Sequence, residues 1–283
     1  MKPKRADELT KQERENLSSY ISDVNADVFV ISNLNPEVVG AALARYSRAP
    51  TGLKETVVRE FLDQDGTPNE IKGSELIDRV VNKYGDESVA ELAVAPLCVE
   101  NVSNLMTKII EDCRIGGSPI EESTRYVLYD IKRDEQWRYV RPESIMKSGL
   151  AKIYIQTMDF LFETYAGLVE PMQNFFRKKL PASEFKIEVE RNNRVVLVGA
   201  DALENDNEKR AHRLAYGFTM RSAACDVLRC ILPASTKANM GIVGNGRFYS
   251  GLITKLLSQE LDEGWLLAEN IRKALETQIP TFI

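Results

Sequence analysis

The stretch Glu121-Glu122-Ser123-Thr124-Arg125-Tyr126 sets acids, hydroxyls, a guanidinium and a phenol side by side. No hydrophobic period runs through it, so these side chains are not committed to a core. Together they suit a phosphorylated, hydrogen-bonding ligand, with the guanidinium on phosphate and the acid and hydroxyl on neighbouring polar groups. The commoner fate of such residues is a helix cap and a surface ion pair, and that reading stands beside the first. Arg229 is a second candidate. It lies among Val227, Leu228, Ile231 and Leu232; a buried arginine there needs an anionic partner, whereas one on the solvent face needs nothing. A third is the GIVGNG run, in which Gly241, Gly244 and Gly246 surround Asn245 and Arg247. Its spacing is not GxGxxG and no clear strand precedes it, so a dinucleotide fingerprint is not supported; a tight helix–helix connection explains the glycines equally well.

The rest of the composition narrows the chemistry. A single histidine, His212, argues against a histidine-built zinc site and against a triad needing a histidine base. Cys98, Cys113, Cys225 and Cys230 show no CxxC spacing, and Cys98 and Cys230 sit in apolar runs, so buried thiols are expected rather than metal ligands or disulfides. The net charge of −5 argues against general nucleic-acid binding. No run is apolar enough to span a membrane, and the charged start MKPKRADELTKQ has no apolar signal region; a cytoplasmic protein is expected.

The elements that must position these residues follow from period and punctuation. An amphipathic helix is expected over residues 1–22 and a short strand at 27–31. Pro36 opens a helix to Tyr46, at a first-turn position where its missing donor costs little. Further helices are expected at 53–62 and 74–84, the latter stopping at Gly85. Asp86 or Ser88 can cap a short helix. Ala93 to Val99 reads as a strand buried on both faces, followed by a helix through Val102, Leu105, Met106, Ile109 and Ile110 that Gly116, Gly117 and Pro119 must break. A strand is expected at 137–142, a long helix from Ser144 to about Leu180, a hairpin about Arg191-Asn192-Asn193, and a second long helix from Glu208 to Leu232. A loop at 234–239 precedes helices at 248–257 and 265–275, in which Trp265 is expected in the core.

The blocks GDESVAELAV, ENVSNLM, EESTRY, VLRCILPAST and GNGR, in this order and at this approximate spacing, resemble the flavin-dependent thymidylate synthase (ThyX) family across nearly the whole chain. ARYSRAP near residue 45 resembles the segment after that family's first strand. The resemblance implies an α+β fold, a small mixed β-sheet packed by long helices, with residues 1–283 forming one domain. It implies reductive methylation of dUMP to dTMP, with methylenetetrahydrofolate as one-carbon donor and FAD reduced by NADPH. Glu121, Ser123, Arg125, Arg229 and Arg247 fall on its dUMP-holding positions, and Arg247 and Ser123 on its catalytic ones. Arg114, Ser88 and Asn245 are the implied cofactor contacts, no metal is implied, and sites shared between subunits imply a homotetramer or a dimer of two-half chains. In departure from the family, Glu111-Asp112-Cys113-Arg114 stands where its flavin-holding Arg-His-Arg belongs, and the gap to Ser123 is longer. The pattern resembles the first half of long members that carry two such halves. Two alternatives follow: a nucleotide-binding domain without flavin turnover, and a related enzyme modifying another uridylate.

Overall fold

The computed structural model describes residues 9–79 and 87–283. In chain order the elements are α1 (Lys11–Leu17), α2 (Pro36–Tyr46), α3 (Leu53–Thr56) running into a π-helical turn (Val57–Phe61), α4 (Glu70–Ile77), a 3-10 turn (Glu87–Glu91), β1 (Val94–Ser103), α5 (Asn104–Glu111) and β2 (Gly117–Glu121). They continue with α6 (Glu143–Met146), α7 (Ala151–Lys179), β3 (Lys186–Arg191), β4 (Arg194–Gly199), α8 (Asp206–Leu228), β5 (Lys237–Asn245), α9 (Gly246–Leu257) and α10 (Asp262–Leu275). Small sheets and long helices make this an α+β fold. One sheet has strand order β1-β5-β2 and the other is the β3-β4 hairpin. The chain divides into two compact units, Met1–Val99 with Lys108–Ile120 and Met240–Ile283, and Glu100–Thr107 with Glu121–Asn239.

In the first unit α2 packs on α4, and α9 on α10. Asn35 caps α2 by accepting the Glu37 N–H at 2.8 Å, and Pro36 occupies the first turn as its sequence position predicts. Val38, Ala41 and Ala42 are fully buried. So is the Glu37 carboxylate, which accepts from Ser74 Oγ and from the Thr281 N–H at 2.7 Å. Tyr249 of α9 is buried and donates its hydroxyl to the Ala95 carbonyl at 2.7 Å.

The second unit is built on an aromatic core. Phe162, Tyr165 and Val169 form one stripe of α7 and meet Tyr129, Trp137, Tyr139 and Leu228. Trp137 stacks on Phe162 with ring centroids 5.6 Å apart. The β3-β4 hairpin pairs antiparallel from Lys186↔Gly199 to Arg191↔Arg194. Asn192 and Asn193, at φ of 50° and 57°, make its two-residue turn, as the Asn-Asn pair predicts. His212 is buried beneath it, its Nε2 2.9 Å from the Phe185 carbonyl.

Several expectations are corrected. Residues 27–31 form no strand; only Ile21 and Ile31 bridge, and Val28 and Val30 are exposed. β1 alternates buried and exposed residues, so one face is covered rather than both. That alternation turns Cys98 outward; Cys230 is also exposed, leaving Cys225 as the buried thiol. Val102 lies in β1 rather than opening the following helix. Residues 137–142 form a bridge, Tyr139 to Thr236, instead of a strand. The helix expected from 144 is two, α6 and α7, and residues 208–232 end in a 3-10 turn at Arg229–Ile231. Trp265 is exposed and donates to the Gln259 carbonyl at 2.8 Å. The GIVGNG glycines lie in β5 and at the start of α9, not in a helix–helix connection. Asp86, the end of the helix expected to Tyr84, and residues 1–8 lie outside the described residues.

Candidate functional site

In the second unit the EESTRY segment begins at the last residue of β2 and then turns back on itself. The Tyr126 and Val127 N–H groups both donate to the Ser123 carbonyl at 3.0 Å, and Ser123 Oγ accepts the Arg125 N–H at 3.3 Å. Tyr126 stacks on Phe218 of α8, with centroids 5.6 Å apart. This brings Arg125 to the end of α8. There Arg125 Nε stands 3.1 Å from Asp226 Oδ1, and Arg229 Nη2 stands 3.3 Å from the same oxygen. All three side chains are close to half exposed. Two guanidinium groups therefore share one carboxylate oxygen, leaving a local excess of positive charge. The C-terminal end of α8 contributes a negative potential that favours cations. Such a pair of guanidiniums has donors left for a planar or tetrahedral anion.

Next to Ser123 in the chain, Glu122 joins a largely buried ion pair with a single arginine. Arg138 donates Nη1 and Nη2 to Glu122 Oε1 and Oε2 at 2.9 and 3.0 Å. Asn239 Nδ2 donates to the same carboxylate at 2.6 Å, while Asn239's carbonyl accepts the Glu122 N–H at 2.8 Å. Asn239 Oδ1 takes the Asn101 N–H at 3.0 Å. The Arg138 guanidinium also lies over the Tyr129 ring, 4.7 Å from its centroid. The Glu122 carboxylate holds the guanidinium charged above its ordinary range, against the opposing pull of burial. Tyr129 is pushed up to about 12, first by burial and then by the Glu122 charge. These bonds fasten the residue next to Ser123 to the start of β5.

The first unit holds the remaining candidates, around the start of α9. Asn245 Oδ1 accepts the Phe248 N–H at 2.9 Å, so its side chain is the helix cap. The Asn245 N–H donates to the Gly116 carbonyl at 3.0 Å, which places the turn after Arg114 beside it. Gly116 has φ of +83°, and a side chain there would collide with Asn245. Arg247 pairs with Glu91 of the 3-10 turn that also carries the exposed Ser88. Arg114 is exposed. Asp112 is bonded to Lys108, which holds its carboxyl below the usual carboxylate range.

The sequence-predicted residues thus fall into two sets. Glu121, Ser123, Arg125 and Arg229 belong to the second unit, and Ser88, Arg114, Asn245 and Arg247 to the first. Asp226 was missed, although its position one helical turn before Arg229 is a readable signal. Arg138, Glu122 and Asn239 were missed as well.

Residues 29–281 match the family model of thymidylate synthase complementing proteins. The chain belongs to that family. Among curated relatives, it is 34% identical over 288 residues to a UPF0159 protein of Chlamydia pneumoniae, a match covering 98% of this chain and 50% of the relative. It is 35% identical over 245 residues to a UPF0159 protein of Thermoplasma acidophilum, covering 86% of this chain and 47% of the relative. The chain spans about half the length of the curated relatives it matches. Among solved structures it is similar to the flavin-dependent thymidylate synthase ThyX of Helicobacter pylori complexed with FAD and dUMP. The TM-score is 0.44 and the identity 17%, over 88% of this chain and 93% of the other. It is also similar to the UMP/dUMP methylase PolB of Streptomyces cacaoi bound with 5-Br dUMP. Here the TM-score is 0.49 and the identity 17%, over 87% of this chain and 88% of the other. Among the described residues no group of His, Cys, Asp or Glu is arranged to hold a metal ion, and no helix is long and apolar enough to cross a membrane.

Proposed function

We propose that this chain binds a pyrimidine nucleoside monophosphate, dUMP foremost, and serves the family reaction, methylation of dUMP to dTMP. The observation that carries this reading is the convergence of Arg125 and Arg229 on a single oxygen of Asp226. A phosphate has more acceptor oxygens than that carboxylate and engages both guanidiniums at once. Glu121 ends β2 and Ser123 follows it, both close to Arg125 in the chain, where sugar and base contacts are needed. Arg247 is the residue assigned to the pyrimidine, stabilising negative charge that develops on the base. Residues 1–283 serve as one family domain in this reading, the family match running through both units.

The family reaction draws on FAD, with NADPH and methylenetetrahydrofolate as co-substrates. The residues standing where the family's Arg-His-Arg belongs do not fit a flavin diphosphate. Asp112 is engaged by Lys108, Glu111 adds a second carboxylate, and Asn245 is spent as a cap; Arg114 and Ser88 remain. Flavin binding by this chain alone is therefore weak in our reading, and residues from a second copy or from a further domain complete the site. Self-association, to a tetramer in the family manner, is part of the proposal. Ile153, Phe160, Leu168 and Phe175 form an exposed apolar stripe at helical spacing on α7.

Calorimetry of dUMP against the purified chain tests the nucleotide reading. Micromolar binding that Arg229→Ala weakens about tenfold or more supports it; no binding of dUMP or UMP removes it. A flavin fluorescence titration tests the second part. Submicromolar FAD affinity of the isolated chain contradicts the weak site. Weak binding improved by Glu111→Arg with Asp112→His places the defect in that stretch. A nucleotide-binding chain that stays flavin-free when assembled is the alternative, a domain without flavin turnover.

A further inference from the structure

The first unit holds a cationic cleft that neither the nucleotide residues nor the flavin residues touch. One lobe, of about 340 Å³, is lined by Arg59, Lys72 and Arg79 with Glu60, Glu75 and apolar neighbours. The adjoining lobe, of about 430 Å³, is lined by Arg45, Arg48 and Arg79 with Glu60. Glu60, Leu76 and Arg79 line both, so the two lobes are halves of one cleft. In each half the cations outnumber the carboxylates, in a chain whose overall charge is −5. A concentration of positive charge against that background focuses anions into the cleft.

The cleft is also built. Arg59 and Glu60 sit on the π-helical turn Val57–Phe61, a rare local structure that recurs at functional sites. Glu55, buried, pairs with Arg59 and fixes its stem, and Arg45 Nε is held by Glu60 at 2.9 Å. The paired arginines therefore form a preset wall, while Lys72, on α4, and Arg79, just beyond the end of α4, line the cleft with exposed side chains. Each lobe has its own cations and Arg79 is common to both. That arrangement suits a ligand with two linked anionic groups, one per lobe, better than a single phosphate.

We propose that this cleft binds a diphosphate group, with Arg79 bridging its two phosphoryl units, Lys72 and Arg59 holding one, and Arg45 and Arg48 the other. A free diphosphate and a nucleoside diphosphate share this chemistry, and cavities of this size admit either.

The test is calorimetry of the full chain with inorganic pyrophosphate, ADP and inorganic phosphate, on the native protein and on Arg79→Ala, Lys72→Glu and Arg125→Ala. The proposal expects pyrophosphate to bind at least tenfold more tightly than phosphate. Arg79→Ala and Lys72→Glu should each weaken it about tenfold or more, and Arg125→Ala should leave it unchanged. Both substituted positions are exposed, and unchanged dUMP binding by Arg79→Ala and Lys72→Glu separates this cleft from the nucleotide site. ADP binding tighter than pyrophosphate identifies a nucleoside diphosphate as the ligand; equal or weaker ADP binding identifies the free diphosphate. No pyrophosphate or ADP binding at millimolar concentration overturns the proposal. So does phosphate binding as tightly as pyrophosphate, or pyrophosphate binding that Arg125→Ala abolishes while Arg79→Ala and Lys72→Glu leave it intact.

Discussion

The second unit contains the same chemistry twice, once buried and once exposed. Arg138 and Glu122 face each other with Nη1 and Nη2 on the two carboxylate oxygens, their side chains 6% and 14% exposed. Arg125 and Arg229 share one oxygen of Asp226, with side chains 44–54% exposed. In the buried pair one guanidinium faces one carboxylate, and Asn239 adds a third hydrogen bond to that carboxylate. It ties one turn of chain to one strand, and its desolvation makes it intolerant of losing either partner. In the exposed trio one carboxylate serves two cations, water screens the attraction, and donors remain for a visitor. Burial and stoichiometry, rather than residue type, separate an arginine bound up in structure from one whose donors stay open to solvent.

The sharpest way to break this contrast is Arg138→Ala. It leaves the Glu122 carboxylate buried with Asn239 as its remaining side-chain partner, and a loss of about 3–5 kcal/mol in urea unfolding is expected. Replacing both partners, with Arg138→Met and Glu122→Leu together, should recover much of that loss. A loss under about 1 kcal/mol for Arg138→Ala would show that the pair is no more structural than the exposed one.

Next in size is the effect of the exposed trio on ligand. Arg125→Ala should weaken dUMP binding by about 1.5–3 kcal/mol while leaving thermal stability nearly unchanged. A mutant that unfolds as readily as Arg138→Ala would merge the two classes.

A third test uses pH. Tyr129, beside the buried pair, and Tyr139 and Tyr249 elsewhere are each pushed up to about 12, chiefly by burial. Their ordinary value is 10.0. The folded chain keeps these protons after the unfolded chain has lost them, so their contribution is complete below pH 10 and is lost as pH rises through 12. Unfolding midpoints should fall across that window, and ultraviolet titration should show a late-ionising class of tyrosines. Glu122→Gln removes a negative charge that opposes the phenolate and should bring Tyr129 down towards its ordinary value. An unshifted late class would remove Glu122 as a cause.

The smallest effect is expected from Asp226→Asn. Stability should change by less than about 1 kcal/mol, since the ion pairs it removes are exposed. The dUMP affinity should rise, because the carboxylate that competes with phosphate for Arg125 and Arg229 is gone. A fall in affinity would mean that Asp226 positions the arginines instead of competing for them.

What was legible in the sequence divides along a physical line. Local chemistry was readable: Pro36 at the start of α2, and the Asn192-Asn193 turn of the β3-β4 hairpin, act through neighbours in the chain. The short blocks carried the family itself. β5 was not readable, because its glycines answer to close packing. A side chain at Gly244 would come within 2.5 Å of Phe248, and one at Gly117 would also strike that ring. Glycines required by close packing imitate glycines required by a turn. Cys98 was misread because alternation, not the local apolar run, decides which way a strand residue faces. Glu122, Arg138 and Asn239 come from three separate stretches of chain, so only the folded chain reveals their partnership.

The central claim is that Arg125 and Arg229, gathered on Asp226, hold the phosphate of a pyrimidine nucleotide. Calorimetry of dUMP and of deoxyuridine, on the native chain and on Arg125→Ala, tests it most directly. The account predicts that dUMP binds the native chain at least tenfold more tightly than deoxyuridine and that Arg125→Ala removes most of that advantage without weakening deoxyuridine itself. Equal dUMP affinity in the native and substituted chains would contradict it.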